Sequence, residues 1–230
     1  MLEHSSIKQE PFKNSQKLYI IFGGKNTGIG MPPFEFCRAS NILNENKVFV
    51  RDISQAWYHC GLSGITKDID STAIYLKKVI HSYQPKETIL IGNSMGGFAA
   101  ILFASLIKNC RAIAFAPQTF LGPVSRLKNN EWRWKSETFS TYIKTISKKK
   151  YFNLRSLKDD NADWRADIIV SEDHSRDLAH ALNITELSQV KLHRYNSNKH
   201  RIVKVLRERN LLGEILRGDF SSSESNEPFL

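Results

Sequence analysis

Short apolar runs alternate along the chain with longer amphipathic stretches, divided by glycine, proline and polar residues. Lys17 to Phe22 (KLYIIF) is an apolar run that stops at Gly23-Gly24, which predicts a buried strand opening into a loop. Lys47 to Arg51 (KVFVR) predicts a second strand. From Asp70 to Ser82, the residues Ile74, Leu76, Val79 and Ile80 recur at mixed three- and four-residue spacing, and Pro85 follows, which predicts a helix. Thr88 to Ile91 predicts a strand. Gly97 to Lys108 predicts a helix so apolar that it must lie against a sheet, and Ala112 to Ala116 a strand closed by Pro117. This alternation predicts an α/β fold: a mainly parallel central sheet flanked by helices.

From about Gly122 to Asp163 the rhythm breaks. Trp132, Trp134, Phe139, Tyr142, Tyr151 and Phe152 are interleaved with Arg126, Lys128, Arg133, Lys135, Lys144 and Lys148-Lys149-Lys150, and no strand pattern appears. This stretch is expected to be a helical cap inserted in a single domain over residues 1–217. The sheet resumes at Ile168 to Val170. A helix over Arg176 to Leu182, a strand over Val190 to Tyr195 and one final helix over Ile202 to Leu216 follow. The Ser/Glu-rich tail, residues 218–230, is expected to be disordered.

Composition narrows the setting. A chain of 230 residues suits one domain, and a hydrophobic fraction of 41% fills a sizeable core. The net charge of +10 would attract an anionic partner: nucleic acid, an acidic glycan or an anionic membrane surface. A merely basic surface fits the charge equally well. No segment approaches the roughly 20 apolar residues of a membrane span, and Met1 to Gln9 lacks the apolar core of a secretory signal. Cys37, Cys60 and Cys110 are odd in number and show no C-x-x-C spacing, so buried thiols of a reducing, cytoplasmic compartment are expected.

Chemistry concentrates at Leu90-Ile91-Gly92-Asn93-Ser94-Met95-Gly96-Gly97-Phe98-Ala99-Ala100. This is G-x-S-x-G between an apolar strand and a small-residue helix. A sharp strand-to-helix turn lifts the serine hydroxyl above the sheet, and side chains two residues away would collide, which calls for Gly92 and Gly96. The turn also sets Ser94 at a helix N-terminus, where developing negative charge is favoured. An incidental serine in a glycine turn is the competing reading. A phosphate loop fits poorly, because G-K-[ST] and G-x-G-x-x-G are absent.

With these residues in order, the chain from Lys17 to about Gly213 resembles the α/β-hydrolase superfamily. Asn93 to Ala100 (NSMGGFAA) and Ala116 to Phe120 (APQTF) also resemble small hydrolase-like proteins of bacterial surface-polysaccharide pathways. The superfamily resemblance implies a site on loops at the carboxyl edge of the sheet, with Ser94 as nucleophile of an acyl-enzyme. It implies an oxyanion hole from the Met95 N–H and a loop N–H. Phe22-Gly23-Gly24-Lys25 is similar to the H-G-G loop that supplies the latter, with Phe22 where histidine often stands; Gly24 is the first choice and Lys25 its neighbour. The superfamily order of serine, acid and histidine points to His200, after the polar loop Asn196 to Lys199, as general base. His193 falls inside a predicted strand, and His174 and His180 come too early. Glu172, Asp173 and Asp177 qualify as the acid by position. Asp177 is preferred to Asp173 because Asp177-Leu178-Ala179-His180-Ala181 resembles the corresponding helix start in small hydrolases. Asp177 also fits a plain helix N-terminal charge.

Further candidates are weaker. Trp57, Tyr58 and His59, with Lys25, are candidate substrate-binding residues, although such an aromatic cluster also suits a packed loop core. Asp173, His174, Asp177 and His180 are of metal-ligating type, but no second cluster supports a metal group; no metal or cofactor is expected. The expected activity is acyl-ester hydrolysis of esterase, deacylase or thioesterase type through acyl-Ser94. The alternative is an O-acyltransferase acting on an acidic glycan or polysaccharide. A non-catalytic binding protein on the same scaffold is the rival from another class. Nucleic-acid binding around Lys148 to Lys150 is not expected, for want of a recognised motif.

Overall fold

A computed structural model describes residues 5–25, 34–157 and 163–221, excepting the side chains of 146–148. Seven strands form one sheet in the order β1-β3-β2-β4-β5-β6-β7. They are β1 (Ile7–Glu10), β2 (Lys17–Phe22), β3 (Asn46–Val50), β4 (Glu87–Asn93), β5 (Cys110–Phe115), β6 (Trp164–Ser171) and β7 (Val190–Tyr195). All neighbours pair in parallel except β1, which runs antiparallel to β3.

The central strands are apolar on both faces because both faces are covered. Leu18, Ile20, Phe22, Leu90 and Ala112 face a cluster built with α1 (Ile69–Tyr83) and α2 (Met95–Ile107). Tyr19, Ile21, Ile89, Ile91 and Ile113 face the opposite cluster, built with α6 (Ile202–Glu208) and α7 (Leu212–Arg217). Asp68 and Ser71 close a reciprocal capping box that starts α1. Every residue of α2 from Met95 to Ala104 is buried. Phe103 stacks on Phe22 with ring centroids 5.4 Å apart, and burying each such side chain is worth roughly 2–3 kcal/mol.

Between β5 and β6 the chain forms α3 (Pro123–Lys128), α4 (Lys135–Lys144) and two 3-10 turns, Ile146–Phe152 and Leu154–Leu157. The helix after β6 is α5 (Ser175–Leu182). No helix among the described residues is long and apolar enough to cross a membrane.

Three sequence expectations need correction. Strand β1 is absent from the predicted pattern, since its four residues carry one apolar side chain; as an edge strand it is marked by the ion pairs Lys8–Glu10 (2.5 Å) and Lys47–Glu10 (3.4 Å). The single final helix is two, because Asn210 takes a left-handed conformation (φ 61°) and ends the first. Of the three free thiols only Cys110 is buried; Cys37 and Cys60 are half-buried. In the tail, residues 222–230 lie outside the described residues, while Phe220 stacks on His193 at 4.1 Å.

Candidate active site

Strand β4 runs into α2 through Ser94, whose backbone sits at φ 55°, ψ −111°. That region is costly for any side-chain-bearing residue, and it is what a sharp elbow requires. A Cβ on Gly92 would lie 2.1 Å from the Gly96 carbonyl oxygen, and one on Gly96 would lie 2.3 Å from that of Phe22. Both glycines are therefore sterically required. The Ser94 N–H donates to Phe115 O at 2.8 Å, which pins the elbow to β5. Ser94 is 8% exposed, and its hydroxyl makes no hydrogen bond among the described residues. Met95 opens α2, so its N–H has no helical acceptor.

His200 and Asp177 meet at the same edge of the sheet. His200 Nδ1 lies 2.6 Å from Asp177 Oδ2. With Nδ1 donating, the lone pair of the ring stands on Nε2, which a general base needs. The loop that carries His200 is tied to β6 by Ser171, whose hydroxyl donates to Lys199 O at 2.6 Å. Asp177 is 1% exposed. Burial pushes its carboxyl pKa up, but the His200 hydrogen bond and the Arg133 charge outweigh that and leave it lowered. Asp173 and Glu172 are exposed; the Asp173 N–H donates to Ser197 O, and Glu172 reaches only Arg194 at 3.7 Å.

Sequence reading missed the supports of this pair. Arg133, from the segment between α3 and α4, donates from Nη1 to Asp177 Oδ1 at 2.9 Å. Its other nitrogens hold Glu131, which is buried and also stands 3.2 Å from His180 Nε2. Burial raises the Glu131 pKa, while His180 and Arg133 together leave it well lowered. Arg133 Nη1 and His200 Nδ1 are 3.1 Å apart. Both are donors here, so they meet through the shared carboxylate. His174 Nδ1 is 3.0 Å from Asp177 Oδ2. The ligand atoms of His174, Asp177 and His200 lie within 4.8 Å of one another, a spacing suited to a metal ion, though Arg133 already supplies a cation to that carboxylate. His180 stands apart from them, stacked on Phe120. No motif flags Arg133; its only sequence signal is an arginine among cap aromatics.

The loop after β2 brings a second unforeseen residue. Glu35 Oε2 accepts the Gly24 N–H at 2.6 Å, and Oε1 accepts Asn93 Nδ2 at 3.0 Å. One carboxyl thus bridges this loop and the elbow. Burial raises the Glu35 pKa against both hydrogen bonds. The Gly24 N–H, first choice as an oxyanion donor, is therefore already engaged. A Cβ on Gly24 would lie 2.9 Å from Asn93 O, so glycine permits the approach.

Trp57, Tyr58 and His59 correct the pocket expectation: all are buried. Trp57 Nε1 donates to Gln118 Oε1 at 2.7 Å, and the Tyr58 hydroxyl donates to Gly23 O at 2.9 Å. His59 packs on Phe98 and Phe152, and burial lowers its pKa to about 4. These residues build the loop core. Lys25 does reach a cleft of about 790 Å³, lined also by Ser54, Gln55, Trp134, Ser140 and Lys144. Its Nζ lies 4.3 Å from the Trp134 ring, 5.3 Å from Trp57 and 2.8 Å from Glu137. It thereby fastens α4 to the β2 loop. Another hollow, of about 490 Å³, lies at the opposite, amino edge of β5, β6 and β7, beside Arg111, Asp167 and Lys191.

No protein-family model matches the chain, and no curated protein does. Solved structures do match. The capsule O-acetyltransferase of Neisseria meningitidis serogroup A is 15% identical, with a TM-score of 0.66, over 92% of this chain and 90% of that one. A lipase-esterase related protein from Clostridium acetobutylicum is 14% identical, with a TM-score of 0.58, over 93% and 99%. MenH from S. aureus is 12% identical, with a TM-score of 0.55, over 93% and 97%. With its parallel sheet, flanking helices and serine elbow, the chain has the α/β-hydrolase fold.

Proposed function

We propose that the protein is a serine-dependent acyl-transfer enzyme with Ser94 as nucleophile, His200 as general base and Asp177 as the acid that orients it. The observation that carries this reading is the 2.6 Å His200–Asp177 contact, on the sheet edge where the strained elbow presents Ser94. Ser94 Oγ attacks an ester or thioester carbonyl carbon, and its proton passes to His200 Nε2. The imidazolium is stabilised by Asp177. The tetrahedral oxyanion is met by the Met95 N–H and, since Glu35 holds the Gly24 N–H, by the Lys25 N–H. Collapse expels the alcohol or thiol, protonated by His200, and leaves acyl-Ser94. Water attacking the acyl-enzyme gives an esterase, deacylase or thioesterase.

A second reading has a specific support. The fold is matched over nine-tenths of both chains by a capsule O-acetyltransferase, one structure of which is described as a complex with CoA. On that reading a sugar hydroxyl of an acidic glycan replaces water as acceptor, consistent with the net charge of +10.

The test is labelling with a fluorophosphonate probe. Wild type is expected to label at Ser94, Ser94→Ala not at all, and His200→Ala more slowly by a factor of about 10³ or more. Folded wild-type protein that does not label overturns the serine mechanism. Turnover of acetyl-CoA or an aryl ester with and without an acidic polysaccharide then separates water from sugar as the acceptor.

A further inference from the structure

Of eleven exposed large apolar side chains among the described residues, five sit within one twenty-residue stretch of the cap. They are Val124 and Leu127 on α3, Trp132 between the helices, and Phe139 and Ile143 on α4, each about half to two-thirds exposed. Leu127, Trp132 and Phe139 border one small apolar hollow of about 110 Å³. Val124 precedes Leu127 by three residues, and Ile143 follows Phe139 by four, so each extends the patch along its own helix. A soluble surface rarely gathers such residues without a partner.

The charge around them has one sign. Lys128 follows Leu127, Lys144 follows Ile143 and Lys135 lines the hollow; all three are exposed. The acids between Val124 and Lys144 are both engaged: Glu131 is buried on Arg133 and His180, and Glu137 pairs with Lys25. Lys135 Nζ lies 5.5 Å from the Trp132 ring, an apolar body with a cationic tip beside it.

We infer that this face of the cap docks on an anionic lipid bilayer, with Leu127, Trp132 and Phe139 entering the headgroup–acyl boundary and the lysines meeting the lipid phosphates. Aromatic and aliphatic residues bordered by lysines are what interfacial binding uses. A second copy of the chain fits poorly, because a two-fold contact would set this cationic patch against itself. The proposal does not rest on the chemistry at Ser94.

Cosedimentation of the full chain with vesicles tests it. Wild type is expected to bind vesicles containing phosphatidylglycerol and not pure phosphatidylcholine, with binding lost as salt is raised. Leu127→Ser/Phe139→Ser and Lys128→Ala/Lys135→Ala alter exposed side chains only, so both should melt like wild type. Each should weaken partitioning by about tenfold or more. Absence of wild-type binding to anionic vesicles at low salt overturns the proposal, as does binding that both variants retain in full. A wild-type dimer that Leu127→Ser/Phe139→Ser converts to monomer, without vesicle binding, would assign the patch to self-association instead.

Discussion

Arg133 Nη1 donates to Asp177 Oδ1 at 2.9 Å while His200 Nδ1 meets the other oxygen of the same carboxylate at 2.6 Å. The segment between α3 and α4 and the His200–Asp177 pair therefore share one buried charge. Arg133→Met would leave Glu131 and Asp177, each 1% exposed, without their cation. Stability should fall by about 3–5 kcal/mol, read by denaturant unfolding. Arg133→Lys keeps the charge but loses the fork that spans both acids, and should fall between. A Met variant as stable as wild type would mean that the guanidinium does not hold the two carboxylates.

The Asp177 pKa is lowered in the fold. A lowered carboxyl pKa contributes stability that is complete above the ordinary carboxylate range and is lost as pH falls through the folded value. Wild type should therefore lose melting temperature progressively as pH falls below about 5. Glu131 adds to this in the same direction. In Asp177→Asn the remaining slope should be shallower. Equal slopes for the two proteins would contradict the assignment.

Glu35 accepts two hydrogen bonds, from the Gly24 N–H and from Asn93 Nδ2. An amide in its place turns an N–H toward one of those donors. Glu35→Gln should loosen the β2 loop against the elbow and lower kcat/KM by about tenfold, the value of one buried hydrogen bond of roughly 1.4 kcal/mol. Rates of Ser94 labelling that match wild type would show that the bridge does not set the oxyanion geometry.

Lys25 joins α4 to the β2 loop through Glu137 and two indole faces. Lys25→Met preserves the packing volume and the backbone N–H but removes the charge. KM should rise several-fold with kcat nearly unchanged, since the lost contacts amount to about 1–2 kcal/mol. A fall in kcat at constant KM would instead place the ammonium in the transition state.

The layered α/β architecture was legible in the sequence because it rests on local signals. Apolar runs such as KLYIIF match β2 residue for residue, and the Val190 to Tyr195 pattern matches β7. The elbow was legible for the same reason: a Cβ on Gly92 would collide with Gly96 four residues along, whereas the need for Gly96 itself comes from Phe22 of the neighbouring strand. The helix that became two was not, because α6 and α7 keep one apolar rhythm across the break at Asn210. Nor was β1, whose pairing with β3 is held by backbone hydrogen bonds and edge ion pairs that leave no apolar pattern.

Ser94 in its elbow was therefore legible in the sequence alone, and the superfamily order pointed to His200 with Asp177 or Asp173 as its acid, since a tight turn and an order of elements can be read along the chain. Tertiary structure decided the rest. It set His200 against Asp177 and not Asp173, brought Arg133 across 44 residues to their carboxylate, and laid Glu35 over the Gly24 N–H. It also buried Trp57, Tyr58 and His59, which had been candidates for the pocket. Partnerships between distant residues depend on how the cap and loops pack over the sheet edge, and no spacing along the chain encodes that packing.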